Sequence, residues 1–356
     1  MLLERSLLQN KVVYAVLSVC IFASSSMVTA GQVGGLSGAY LRPGVGAAAL
    51  GMGGASSASP ENFTAWWNPA ASADTKENKF ALGAGSRSLG RSDLYGEFDF
   101  KVPPRLGMGF LFLYRGDPFL DNLYNDDYDN PEKLPDAAYT TCTGKISLSY
   151  YVSRKLSAGV NIGINYQRLP SSIDDNGEWI YSSTAGIGAM DIGVSYKWND
   201  NLTIGLVVRD LFSLMTWELT DETYSPTIED RPLPSFTCAT SYTDSLMHKP
   251  LKWNTDLKGY LFDGEWEKLE RPEAYLSTGA EWQTWKTLYV RMGLGDILLN
   301  GDMFTDEYSS DFFCKITAGL SVDLSKIKKG MVANYGVATD KTWAGLDQQL
   351  DVTFSF

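Results

Sequence analysis

The chain has 356 residues, 42 of them acidic and 30 basic, giving a formal net charge of −12 with a single histidine. That acidity disfavours nucleic acid and anionic surfaces as partners. Beyond the first thirty residues no apolar run approaches the about eighteen residues of a spanning helix. Residues 1–30 themselves read as a secretory signal peptide. Arg5 and Lys11 give a basic start, Val12 to Ala23 an apolar run, and Val28-Thr29-Ala30 a small-residue cleavage site. The expectation is export, with cleavage after Ala30.

Gly38 to Ala71 is rich in Gly and Ala and almost uncharged. It lacks the two-residue alternation that fills the chain after it. Ser59 reads as an N-cap and Pro60 as the first residue of a short helix running toward Trp66. Asn68-Pro69 then breaks it. The segment reads as compact, irregular and buried, with Gly51, Gly53 and Gly54 permitting close backbone approach.

The run LRPGVGAAALGMGGASSA (residues 41–58), followed by WWNPAA (residues 66–71), resembles the amino-terminal signature of the PorV/PorQ family of outer-membrane proteins. That family lies within the wider FadL-like barrel group, which carries an Asn-Pro-Ala element near the mature N-terminus. The resemblance implies a barrel of fourteen strands with an inserted N-terminal segment. In that segment Gly51, Gly53, Gly54, Trp67, Asn68, Pro69 and Ala70 are the plug residues.

After Ala73 the pattern turns to strands. Fourteen are expected, at 78–86, 92–101, 106–115, 141–152, 155–168, 185–197, 201–212, 234–244, 251–263, 273–285, 286–295, 311–322, 331–338 and 346–356. In Lys155–Arg168, Leu156, Ala158, Val160, Ile162, Ile164 and Tyr166 face one way and Ser157, Gly159, Asn161, Gly163, Asn165 and Gln167 the other. Short connections alternate with long ones at 115–140, 169–184, 213–233 and 296–310, as an antiparallel membrane barrel requires. The fold class expected is therefore all-β, a transmembrane antiparallel barrel with the N-terminal segment in its lumen. The domains expected are residues 1–30 as signal peptide, 31–77 as plug and 78–356 as barrel.

The non-apolar face should line the lumen and carries Glu97, Asp99, Asp191, Arg209, Asp256, Glu281, Arg291 and Lys315. Buried charge is costly, so pairs and contacts to the N-terminal segment are expected there. Val352, Phe354 and Phe356 alternate with Thr353 and Ser355, resembling the terminal strand that outer-membrane assembly machinery recognises. Cys142, Cys238 and Cys314 are in phase with apolar neighbours and expected to be unpaired and lipid-facing.

Chemistry finds little support. The acidic knot Asn125–Asn130 offers oxygen ligands but lacks the Gly and terminal Glu of a calcium loop, and reads as solvated surface. His248, the only histidine, falls in a short turn with no group arranged to orient it. The Gly51–Gly54 run follows no strand and has no Lys after it, so it is not a phosphate loop. No catalysis, no metal and no cofactor are expected. Two functions remain: a PorV/PorQ-type role in protein secretion of type IX kind, or a FadL-like channel for hydrophobic small molecules. The partners expected are outer-membrane lipid, the assembly machinery, and either secretion components or a hydrophobic ligand.

Overall fold

The computed structural model describes residues 38–116, 139–169, 172–173, 179–220, 227–260, 274–299, 314–340 and 345–356. The expected signal peptide and the acidic knot Asn125–Asn130 lie outside the described residues. The strands are β1 Lys79–Ser86, β2 Ser92–Val102, β3 Leu106–Gly116, β4 Thr140–Tyr151, β5 Leu156–Arg168, β6 Ser172–Ile173, β7 Trp179–Lys197, β8 Leu202–Leu211 and β9 Met215–Thr220. They continue as β10 Thr227–Asp230, β11 Ser235–Leu246, β12 Lys249–Tyr260, β13 Ala274–Trp285, β14 Leu288–Leu298, β15 Lys315–Asp323, β16 Met331–Thr339 and β17 Leu346–Ser355.

Each strand pairs antiparallel with its neighbours, and β1 pairs with β17 from Lys79↔Ser355 to Ser86↔Gln348, which closes the ring. The wall is a closed antiparallel barrel of fourteen strands. Two of the fourteen are composite. Met190 of β7 pairs with Leu211 of β8, and Ala185 of β7 with Thr216 of β9. Residues 186–189 and 212–215 span the interval in equal number, so β9 continues β8 after a break. The β9–β10 hairpin likewise prolongs the β8–β11 hairpin.

The alternation of burial decides which face meets which medium. On β4, Thr141, Thr143, Lys145, Ser147 and Ser149 are buried while Ile146, Leu148 and Tyr150 are exposed. On β5, Ile164 is 63% exposed and Asn161 and Asn165 are fully enclosed. A water-soluble protein has the opposite arrangement; polar-in and apolar-out is the pattern of a membrane barrel. Val352 and Phe354 of β17 share the outer face with exposed Leu350, and Phe356 follows in the same phase.

Four expectations need correction. Strand six begins at Trp179 rather than 185, because its extra length pairs with β9. The connection at 213–233 is therefore partly wall. The turn near His248 closes in two residues, Met247 and His248, both with positive φ (53° and 63°), the geometry that suits the twist of a tight hairpin. Finally, Cys142 is free and stands in the outward phase, but Cys314 is buried, and Cys238 is disulfide-bonded.

Candidate functional site

Residues 38–75 are packed against the inward-facing side chains of the wall. The expected helix from Pro60 is shorter: it spans Thr64–Trp67, with Phe63 left-handed at its start (φ 57°). Asn68 ends it and caps the following turn, Pro69–Asp74, its Oδ1 accepting from Ala70 N at 3.0 Å.

Carboxylates of the wall hold the backbone N–H groups that these short elements leave over. Thr64 N and Ala65 N donate to the two oxygens of Glu97, each at 2.8 Å. Ala47 N, opening the helix Ala47–Gly51, donates to Asp351 Oδ2 at 2.6 Å. Ser56 N and Ser57 N both donate to Asp256 Oδ2, at 3.1 and 2.9 Å. Helix starts and turns present unsatisfied donors, and an anion there is favourable. Arginines do the converse for carbonyls. Arg115 donates to the oxygens of Tyr40, Pro43 and Gly44, and Arg209 Nη2 donates to Trp67 O at 2.9 Å.

Where the segment touches the wall backbone, the wall carries glycine. A Cβ on Gly193 would lie 2.2 Å from Asn68 Oδ1, one on Gly159 2.6 Å from Ala70 N, and one on Gly279 2.4 Å from Met52 O. Gly159 pairs with Gly193, Gly279 with Gly293, and Gly319 with Gly336, so these positions form patches across neighbouring strands. Sequence reasoning singled out the glycines of the segment and missed their counterparts. The available signal was glycine recurring in the polar phase of the strands. Gly51 faces Gly319 Cα and Gly53, at φ 71°, faces Leu294 O.

Arg209 thus holds Trp67, and the structure places the other seven charges named from the sequence as follows. Glu97, Asp99 and Asp256 hold the segment, Asp99 accepting from Thr64 Oγ1 at 2.8 Å. Asp191 pairs with Lys145 at 2.7 Å, and Lys315 with Asp296 at 3.0 Å. Arg291 Nη2 meets both Glu281 and Glu61, the latter at 2.8 Å. Burial acts to raise the Glu61 carboxyl, but Arg291 and Lys252 outweigh it and hold the group at about 2. Its contribution to stability is thus present above the ordinary carboxylate range and is lost only as pH falls through about 2. Arg291→Met removes the cation between two carboxylates. We expect that variant to be less stable than the parent at pH 8, and the difference between them to narrow toward pH 5 as the carboxylates protonate. The heat-modifiable gel shift at both pH values reads this, and a difference that does not change with pH would refute the ion-pair account.

A cavity of about 80 Å3 lies over Trp66 and Trp67, lined also by Arg87, Arg209, Asp256 and Lys258. Trp66 Nε1, Arg209 Nε and Asp256 Oδ1 are buried there without a protein hydrogen-bond partner. The cavity therefore offers two N–H donors and a carboxylate acceptor beside indole faces.

The wall itself is interrupted beside this region. Among the described residues, no ladder pairing joins 186–189 of β7 to β8 or β9. Asp210 and Phe212 take left-handed conformations (φ 59° and 56°), and the chain passes to the inner side of β7, where a Cβ on Gly186 would meet Leu214 O at 2.1 Å. On the adjoining composite strand the break is Arg231-Pro232-Leu233-Pro234, whose prolines have no N–H for a ladder. Met215 and Leu233 turn into the core, and Phe212 is left 85% exposed.

No family model matches the chain, and no curated protein matches it. Among solved structures it is similar to the CymD monoaromatic hydrocarbon channel, with a TM-score of 0.61 and 13% identity over 88% of this chain and 98% of that one. The fold is that of a FadL-like outer-membrane barrel. The Pseudomonas putida toluene transporter TodX matches with a TM-score of 0.55 and 14% identity, over 87% of this chain and 96% of that one. A FadL homologue of Pseudomonas aeruginosa matches at 0.54 and 12%, over 88% and 99%. The first two of these neighbours are named as a hydrocarbon channel and a toluene transporter.

Proposed function

We propose that this FadL-like barrel is a channel for hydrophobic small molecules in the outer membrane of a Gram-negative cell, with its short turns in the periplasm. Residues 38–75 act as a plug, closing the straight path through the lumen. An apolar solute forced past Glu97, Asp99 and Asp256 would also have to strip buried carboxylates of their partners, at several kcal/mol each. The observation that carries the reading is the wall break. The unpaired edge at 186–189 and exposed Phe212 give a solute that enters from the long-loop end a sideways way out into lipid. That exit spares it the charged lower lumen.

The test is a chemical stopper. Phe212→Cys, with Cys142, Cys238 and Cys314 replaced by Ser, is labelled with a bulky maleimide in whole cells. Uptake of radiolabelled toluene should fall severalfold on labelling, and the same label on Trp285→Cys, elsewhere on the outer surface, should leave it unchanged. Unaltered toluene uptake after labelling at position 212 would defeat the lateral route.

The PorV/PorQ-like run at 41–71 supports a second reading, a role in protein secretion of type IX kind. Purification in mild detergent separates the two. Secretion components recovered in stoichiometric amount favour the second, and a co-purified hydrophobic small molecule the first.

A further inference from the structure

We propose that the seam where β1 meets β17 carries a binding site for an anionic phospholipid of the periplasmic leaflet. The inference rests on the outer-membrane orientation given above and not on the transport reading. On the outer face at the short-turn end, a groove of about 440 Å3 is lined by Phe80, Phe98, Phe354 and Phe356, with Lys328 and Lys329 at its edge. The aromatic floor is continuous. Phe98 stacks on Phe356 with centroids 6.2 Å apart and lies 5.5 Å from Phe100, which stacks in turn on Phe110 at 5.8 Å. Such a shelf suits acyl chains at the headgroup boundary.

The polar edge is supplied by the turn between β15 and β16. It carries Lys326, Lys328 and Lys329, all exposed, around Ile327, which is 77% exposed. An isoleucine so bare in a turn is explained if the turn dips into the interface. Lys328 Nζ sits 4.9 Å over the Phe354 ring, so its charge is held directly above the shelf. The acid in the turn is accounted for, because Asp323 Oδ1 accepts from Ser325 N at 2.8 Å. On a chain of formal charge −12, this concentration of lysine runs against the overall balance. A phosphate beside the lysines and two acyl chains on the phenylalanines complement both halves of the groove, and a net-negative headgroup is favoured over a zwitterionic one.

Full-length protein, purified and delipidated in detergent, would be incubated with phosphatidylglycerol or phosphatidylethanolamine and analysed by native mass spectrometry. The parent should retain phosphatidylglycerol preferentially, less so as salt is raised. Lys328→Ala/Lys329→Ala should weaken retention about fivefold per lysine, about 25-fold in all. Lys155→Ala and Lys286→Ala, on other short turns, should retain it like the parent. Heat-modifiable migration checks that each variant is folded, and the salt titration of the parent needs no variant. Equal retention of the two lipids by the parent, no retention at all, or a double variant that binds like the parent would each overturn the proposal.

Discussion

Deleting residues 38–73 is expected to open the barrel into a water-filled pore, seen as a large rise in single-channel conductance in planar bilayers. The wall does not depend on the segment for its hydrogen bonds. Apart from the break at 186–189, its strands pair with one another round the ring, through the β1–β17 closure. Without the segment, the inner face would present Glu97, Asp99, Asp191, Arg209, Asp256 and Arg291 to an empty lumen, and such a surface hydrates readily. Barrels of sixteen or more strands with polar linings conduct, and fourteen strands fall little short. A deletion can also fail to assemble, so a gentler variant is needed beside it. Gly193→Leu with Gly279→Leu leaves the wall sequence otherwise intact. It sets a side chain where Asn68 Oδ1 would lie 2.2 Å, and Met52 O 2.4 Å, from the new Cβ. The segment cannot seat against either. Conductance of both variants at the parental level would show that residues 38–75 do not block the lumen.

Glu97→Ala should strongly weaken the docking of the segment. Glu97 is 2% exposed and accepts from two backbone donors, Thr64 N and Ala65 N. Each buried donor left unpaired costs about 1–3 kcal/mol, so the loss should reach about 2–6 kcal/mol. Glu97→Gln keeps one acceptor oxygen of similar reach and should fall between. The cost would appear as protease access to residues 60–75 and as a lower temperature for the heat-modifiable shift. Parental values for Glu97→Ala on both readouts would remove Glu97 from the docking scheme.

Much of the barrel was legible because its signals are local. The alternation through Leu156–Gln167 assigns each residue to lipid or lumen from its immediate neighbours alone, and the phase of Val352 and Phe354 does the same at the end of the chain. The inward phase of Glu97, Asp191, Arg209 and Arg291 follows from that rule. Short and long connections likewise showed at which end the tight turns lie. The helix expected from Pro60 failed for a reason outside the sequence window. Its first turn is fixed at Thr64 by the carboxylate of Glu97, on a strand formed later in the chain.

What remained belongs to tertiary structure. The sequence determined the strand count, the two faces and an apolar, glycine-rich N-terminal segment, all properties that period-two patterning and composition express within a few residues. Only the folded chain decided which wall glycines meet which backbone atoms, and that Ala47 N would find Asp351 across 304 positions. It also decided where the wall breaks. Phe212 carries no local signal for left-handed backbone, and the break shows only where the ladder between β7 and its neighbours is interrupted. Side-chain alternation specifies a strand's faces but not its partners along every residue of its length, and this site is made of partners.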